Sequence, residues 1–138
     1  MYSFSSEIRV LYGHVDRMNF VYYGRYLEYF EHARNELLRS LELPYTEIER
    51  LGIKLPVVEA HLNYKQPALY DSLIRVNARI PEMPRSRIRI DYEVTDTDRN
   101  VLVTGYTVHG FLNHRDRPCR APEMLLQVLT PHFQEDYE

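Results

Sequence analysis

The sequence predicts an α+β domain in which one long amphipathic helix is wrapped by a curved antiparallel sheet of about five strands. Two observations carry this. One segment repeats its apolar residues with helical spacing, at Tyr26, Phe30, Ala33, Leu37 and Leu41. The other periodic segments alternate with period two, one before the helix and three after it, followed by a longer apolar run. A lone helix with an apolar stripe has to be covered, and a sheet curling around it does so.

The elements follow in order. Ile8, Val10 and Tyr12 alternate with Glu7, Arg9 and Leu11, which reads as a strand. A loop over Gly13–Tyr22 leads into the helix, expected from about Tyr23 to Leu41. Leu27 and Leu38 widen its stripe, while Glu28, Glu31, Arg34, Glu36 and Arg39 lie mostly outside it. Pro44 stops it. Tyr45–Leu51 reads as a second short helix closed by Gly52. Val58, Ala60, Leu62 and Tyr64, then Ile74, Val76, Ala78 and Ile80, then Ile88, Ile90, Tyr92 and Val94 mark three strands, each with one buried and one polar face. Asp96-Thr97-Asp98-Arg99-Asn100 is a turn signal. Val101–Asn113 is apolar on both faces for much of its length and is expected to be central. Pro122–Leu129 suggests a last helical turn or two. The strands after the helix are expected to follow one another as in a meander, and residues 1–138 read as one domain.

Composition narrows the function classes. A net charge of −3 argues against a dedicated nucleic-acid binder. No segment is long and apolar enough to span a bilayer, no signal peptide is visible, and a cytoplasmic location is expected. The single cysteine, Cys119, has no internal disulfide partner. Twelve tyrosines without a tryptophan suit surfaces apolar at one end and wet at the other, such as an oligomer interface or an acyl tunnel. His32, His61, His109, His114 and His132 are scattered without metal-ligand spacing, so neither a metal nor a cofactor is expected. No nucleophile elbow, P-loop or dinucleotide fingerprint is present.

Chemistry is concentrated in Tyr12–Tyr26. Asp16 stands between the first strand and the start of the helix. A carboxylate there can attack or activate water, and the free N–H groups of a helix's first turn can bind a developing oxyanion. The structural alternative is that Asp16 caps a turn.

Tyr12, His14, Asp16, Asn19, Phe20-Val21-Tyr22-Tyr23 and Arg25-Tyr26, continued by Phe30-Glu31-His32-Ala33-Arg34, resemble the 4-hydroxybenzoyl-CoA thioesterase family of hotdog-fold acyl-CoA thioesterases, a group that includes the Tol–Pal-linked bacterial thioesterases. Val57-Val58-Glu59-Ala60, Tyr64, Pro67-Ala68 and Tyr70-Asp71 resemble its second strand and following turn. The resemblance spans roughly Ile8 to Leu112. The chain departs from the pattern at His14, where the family has an aspartate, at Asn19 in place of a glycine, and at Gly24-Arg25.

The resemblance implies hydrolysis of an acyl-CoA or acyl-carrier-protein thioester. Asp16 would be the nucleophile or general base, with the Tyr23 backbone N–H, followed by Gly24, as oxyanion donor. His14, Asn19, Tyr26 and Glu59 would lie on the substrate side. His14 would act either as a proton partner of Asp16 or as an ordinary loop histidine. Arg85, Ser86 and Arg87 would meet the CoA phosphates, which suit guanidinium geometry. The family also implies a homodimer or homotetramer with sites shared between subunits. A non-catalytic acyl-CoA or acyl-carrier binder and a hydratase on the same fold are the rival readings.

Overall fold

A computed structural model describes residues 1–134 of the chain. Its sheet is fully antiparallel and is built from β1 (Tyr2–Arg9), β2 (Val57–Tyr64), β3 (Leu73–Ile80), β4 (Arg87–Thr95) and β5 (Val101–Gly110). Helix α1 (Arg25–Ser40) packs on one face, with short α2 (Tyr45–Arg50) after it and α3 (Glu123–Gln134) at the end. This is the hotdog arrangement.

The helix stripe is buried as its spacing predicts: Tyr26, Phe30, Ala33 and Leu37 are inaccessible, and Leu38 joins them. Leu27 does not; it is exposed, and Tyr29 takes its place in the buried stripe. Tyr29 is three residues from Tyr26 and four from Ala33, so it sits on the same side of the helix, while Leu27 sits about 100° off. Phe30 stacks on Tyr92 of β4, with ring centroids 4.2 Å apart and planes 4° from parallel. Gly52 has φ +79° just past α2, as its expected role as stop residue requires.

Several expectations need correction. The first strand lies earlier than expected, and Tyr12–His14 form a single 3₁₀ turn with Tyr12 exposed. The strand order is β1-β3-β4-β5-β2, so β3, β4 and β5 form a meander but β2 crosses to the far side of β5. The central strand is β4, and β5 is interior but next to the edge. Its run ends at Gly110, because Leu112 leaves to pair with Lys54 and Pro118. The last helix extends three turns, through Pro131, because Leu125, Leu129 and Phe133 form a buried stripe. The largest departure is β2, which has no buried face. Val57, Val58 and Tyr64 are about half exposed and Ala60 is exposed too. Alternation shows that one face is apolar, not that anything in the same chain covers it.

The run read as apolar in β5 hides a polar relay. Arg34 of α1 donates to the Tyr92 hydroxyl (3.2 Å), Tyr92 bonds Thr107 (2.8 Å), Thr107 bonds His109 Nε2 (2.9 Å), and His109 Nδ1 reaches the Leu55 carbonyl (3.1 Å). The Leu55 carbonyl only accepts, so Nδ1 carries a proton, and burial keeps the ring neutral, so Nε2 accepts. Tyr92 O–H therefore donates to Thr107, and Thr107 O–H donates to Nε2. Nδ1–H is left for Leu55, and the imidazole is neutral. Burial, with Arg34 nearby, pushes His109 down to about 4. The unfolded value is about 6.5, so the unfolded chain binds the extra proton at acid pH. The contribution is intact above about pH 6.5 and is lost as pH falls toward 4. From pH 7.5 to 4.5 the wild type should lose about 2–3 kcal/mol more unfolding free energy than His109→Gln. Urea titrations at both pH values measure the difference, and parallel losses would show that His109 does not titrate on unfolding.

Candidate active site

The segment Val15–Val21 is a small hairpin whose geometry explains two of its residues. Val15 pairs with Val21, Asp16 N–H donates to the Phe20 carbonyl (2.8 Å), and Asn19 N–H donates to the Asp16 carbonyl (3.0 Å). The turn closes with Asn19 at φ +67°. Glycine adopts this region freely and asparagine is among the side chains that tolerate it best. Asn19 thus meets a backbone demand at the position where the resembling family has glycine.

Asp16 Oδ1 accepts from Met18 N–H (2.8 Å) and Phe20 N–H (3.3 Å), so one oxygen organises the turn. Oδ2 has no protein partner among the described residues. The side chain borders a cleft of about 290 Å³, walled mainly by Met18, Phe20, Tyr23, Tyr26, Tyr64 and Pro67.

The start of α1 forms one side of this cleft. Tyr26 is buried, and its hydroxyl accepts from Ala68 N–H (3.1 Å). Tyr64 of β2 donates its hydroxyl to the Tyr23 carbonyl (3.0 Å). Among the described residues, the backbone N–H groups of Tyr23 and Gly24 donate to no protein acceptor. In a trans peptide the carbonyl and the following N–H point opposite ways. The Tyr64 bond therefore aims Gly24 N–H away from Tyr64, and Tyr23 N–H is the free donor belonging to a cleft-lining residue. Gly24 also leaves room for the Tyr22 ring, which a Cβ there would meet at 3.0 Å.

His14 lies behind this cleft and does not line it. Its Nδ1 accepts from Leu11 N–H (3.2 Å) and lies 2.9 Å from the Tyr29 hydroxyl, while its carbonyl accepts from Tyr22 N–H (2.9 Å). An N–H donor on Nδ1 leaves the ring proton on Nε2. Burial and the nearby Arg25 guanidinium lower the His14 pKa, and burial pushes the Tyr29 hydroxyl above its usual range. A neutral His14 braces the Asp16 hairpin against the helix.

The remaining expected site residues are elsewhere in this chain. Glu59 is on the sheet face turned away from α1, where its carboxylate accepts from Tyr106 (3.1 Å) beside Arg89, which lies 3.9 Å over the Tyr106 ring. Arg85, Ser86 and Arg87 share a second cleft, of about 620 Å³, with Glu82, Met83 and Phe133. It lies at the other end of the sheet: Arg87 pairs with Gly110, whereas Tyr64 pairs with Val103. Seven strand residues separate the two levels, roughly 20 Å. Sequence reasoning missed Tyr29 and did not assign Tyr64 to the site. Spacing of three from Tyr26 could have found Tyr29, but no sequence signal places Tyr64 against Tyr23. Among the described residues, no cluster of three His, Cys, Asp or Glu side chains could hold a metal ion.

Comparison with known proteins agrees with this fold. The family described as the thioesterase-like superfamily matches residues 10–129. The acyl-CoA thioesterase YbgC of Haemophilus influenzae is 32% identical over 101 residues, covering 72% of each chain. The 1,4-dihydroxy-2-naphthoyl-CoA hydrolase of Synechococcus elongatus is 26% identical, covering 84% of this chain and 85% of its own. Among solved structures, a hypothetical protein from Thermus thermophilus superposes with a TM-score of 0.87 at 30% identity, covering 92% of this chain and 97% of that one. The DHNA-CoA thioesterase of Staphylococcus aureus superposes with a TM-score of 0.83 at 28% identity, covering 99% and 89%. With that match running from Val10 to Leu129 and taking in the Asp16 hairpin, the helix and the whole β2–β5 region, the chain belongs to the thioesterase-like superfamily.

Proposed function

We propose that this chain hydrolyses acyl-CoA thioesters, with Asp16 as the reacting carboxylate and the Tyr23 N–H as oxyanion donor. The observation that carries this is the pairing of an unengaged carboxylate oxygen with an unengaged helix-start N–H around one cleft, in a chain of this superfamily. Asp16 Oδ2 either attacks the thioester carbonyl or takes a proton from an attacking water. Negative charge then develops on the carbonyl oxygen, and one preorganised donor is worth about 3–4 kcal/mol at that point. The C–S bond breaks and CoA leaves as a thiolate that takes up the proton released by the water; on the nucleophilic route that water acts second, hydrolysing the Asp16 acyl anhydride to free the acid and the carboxylate. The finer assignment to the 4-hydroxybenzoyl-CoA group rests on the Tyr12–Tyr26 resemblance. The substrates named for relatives include 1,4-dihydroxy-2-naphthoyl-CoA, so aromatic acyl groups belong in the first assay panel. Free-thiol release from that panel tests the activity, and no release from any acyl-CoA would sink it.

The reading includes a homodimer. The exposed side chains of edge strand β1 are mostly polar, with Ser3, Ser5 and Glu7 among them, but those of edge strand β2 include Val57, Val58, Ala60 and Tyr64. An apolar open edge invites pairing. A two-fold axis would pair two copies of β2 antiparallel. The Val57 end of one copy would then meet the Tyr64 end of the other, bringing Arg85 and Arg87 of the first copy toward the Asp16 cleft of the second. The two clefts separated within one chain become neighbours in the pair. Arg85→Ala and Arg87→Ala should each raise KM for acyl-CoA about tenfold with little change in kcat, as removal of uniform phosphate binding does. An unchanged KM in both variants would place the CoA phosphates elsewhere.

A further inference from the structure

The 3₁₀ turn Tyr12–His14 supplies the carbonyl to which the oxyanion donor's segment is tied, yet none of its three residues is buried. With no apolar anchor, its place against α1 rests on polar ties. Two come from the helix. Arg25 Nη2 donates to the Gly13 carbonyl at 3.3 Å, and the hydroxyl of buried Tyr29 lies 2.9 Å from His14 Nδ1. The Arg25 tie is long and exposed, and Nη1 of the same guanidinium is engaged by Glu28 at 2.6 Å. The Tyr29 tie is shorter and partly shielded from water, which strengthens it.

From His14 the ties run to the donor. Leu11 N–H points at Nδ1, so that nitrogen carries no proton and the Tyr29 hydroxyl donates to it as well. One ring nitrogen thus joins the entry of the turn to the interior of α1. The His14 carbonyl accepts Tyr22 N–H (2.9 Å), and the Tyr22 carbonyl accepts Arg25 N–H (2.9 Å). Tyr22 is held at both of its backbone polar groups. In the trans peptide that follows, Tyr23 N–H points opposite to the Tyr22 carbonyl. The direction of the donor therefore depends on where His14 stands.

We infer that Tyr29 and His14 are positioning residues for the oxyanion donor, Tyr29 holding His14, and His14 holding Tyr22 so that Tyr23 N–H faces the Asp16 cleft. The inference rests on the thioesterase reading and deepens it. His14 Nδ1 acts as an acceptor for two donors and takes no part in proton transfer. Among the described residues, no hydrogen bond joins its ring to the Asp16 carboxylate. A carboxylate oxygen, which the resembling family has at this position, could accept the same two donors. Tyr29 meets no reacting atom; besides His14 its ring touches the cleft wall edge-on, at Tyr26, with centroids 5.7 Å apart.

The test measures thiol release from benzoyl-CoA and decanoyl-CoA by variants at these two positions. Tyr29→Phe keeps the ring and loses only the hydroxyl. It should lower kcat about tenfold with KM within about twofold of wild type, as loss of a transition-state contact does. His14→Ala should lose about thirtyfold. His14→Asn should recover kcat to within about threefold of wild type, because an amide oxygen accepts two hydrogen bonds but is no base at neutral pH. Tyr29→Phe combined with His14→Ala should be no slower than His14→Ala alone, since Tyr29 acts only through His14. Hydrogen exchange at Tyr22 N–H should quicken about tenfold in Tyr29→Phe and stay slow in His14→Asn. Unchanged kcat in Tyr29→Phe, or losses that multiply in the double variant, would overturn the inference. So would a His14→Asn as slow as His14→Ala, which would make the imidazole a proton carrier. Loss of kcat in Tyr29→Phe with Tyr22 still protected would overturn the proposed route. The Tyr29→Phe and His14→Asn arms stand even where His14→Ala does not fold. A wild type that releases thiol from no acyl-CoA, while Tyr22 exchange responds as expected, would instead remove the thioesterase reading and the inference with it.

Discussion

Asp16→Asn should lower kcat by about 10³-fold while leaving the melting temperature within about 2 °C of wild type. The two halves of this expectation come from the two carboxylate oxygens. Oδ1 accepts the Met18 and Phe20 amides, and an asparagine carbonyl oxygen can accept both, more weakly because it carries no charge. The hairpin therefore survives. What disappears is the charge, and with it the capacity of Oδ2 to attack a carbonyl or remove a proton. Asp16→Ala separates the roles further. It should be as inactive as the asparagine variant and also less stable by about 1 kcal/mol, because two turn amides lose their acceptor. Steady-state thiol release and thermal melts on the three proteins decide the matter. Wild-type turnover in Asp16→Asn would show that the carboxylate only shapes the turn. A melting loss in Asp16→Asn equal to that of Asp16→Ala would make its inactivity uninformative about chemistry.

The sequence made the helix legible because burial against a sheet imposes a 3.6-residue period that Tyr26, Phe30, Ala33 and Leu37 display directly. It placed the stripe's borders less well: Leu27 is apolar but exposed, and Tyr29, whose polar end disguises it, is buried. Period-two alternation located β2, β3 and β4 within a few residues but could not say which strand would be an uncovered edge. That depends on the order β1-β3-β4-β5-β2, a property of long-range pairing. The same ordering explains the candidate site. Asp16, Tyr23 and Tyr26 are close in sequence and meet at one cleft. Tyr64 arrives there only because β2 crosses to the far side of β5, and Arg85 to Arg87 are left at the other end of the sheet. In β5, the apolar reading concealed Thr107 and His109, whose polar atoms are satisfied by each other, by Tyr92 of β4 and by the Leu55 carbonyl ahead of β2, the last two distant in sequence.

Gly105→Ala should destabilise the fold by about 3 kcal/mol or more, the largest stability effect expected of a single added methyl group here. A Cβ on Gly105 would stand 2.3 Å from the His61 carbonyl oxygen of β2 and 3.0 Å from the Phe30 ring. Neither neighbour can yield cheaply. The carbonyl is backbone of the strand paired with β5, so relief means pushing β2 away. Phe30 is pinned between Gly105 and Tyr92, and Tyr92 is a member of the Arg34–His109 relay. Movement of β2 also carries Tyr64, which holds the Tyr23 carbonyl at 3.0 Å, so the oxyanion donor would shift with it. The variant should therefore lose kcat as well as stability, although Gly105 does not border the Asp16 cleft. Gly110 on the same strand is the control. A Cβ there meets only Val58 Cγ1 at 3.8 Å, an ordinary contact, so Gly110→Ala should change stability by no more than about 1 kcal/mol. Denaturant unfolding of both variants measures the contrast. Equal losses would mean that the strand tolerates no side chain at either position for reasons other than the close approach of His61 and Phe30, and a stable, fully active Gly105→Ala would mean that β2 is free to move without disturbing the helix start.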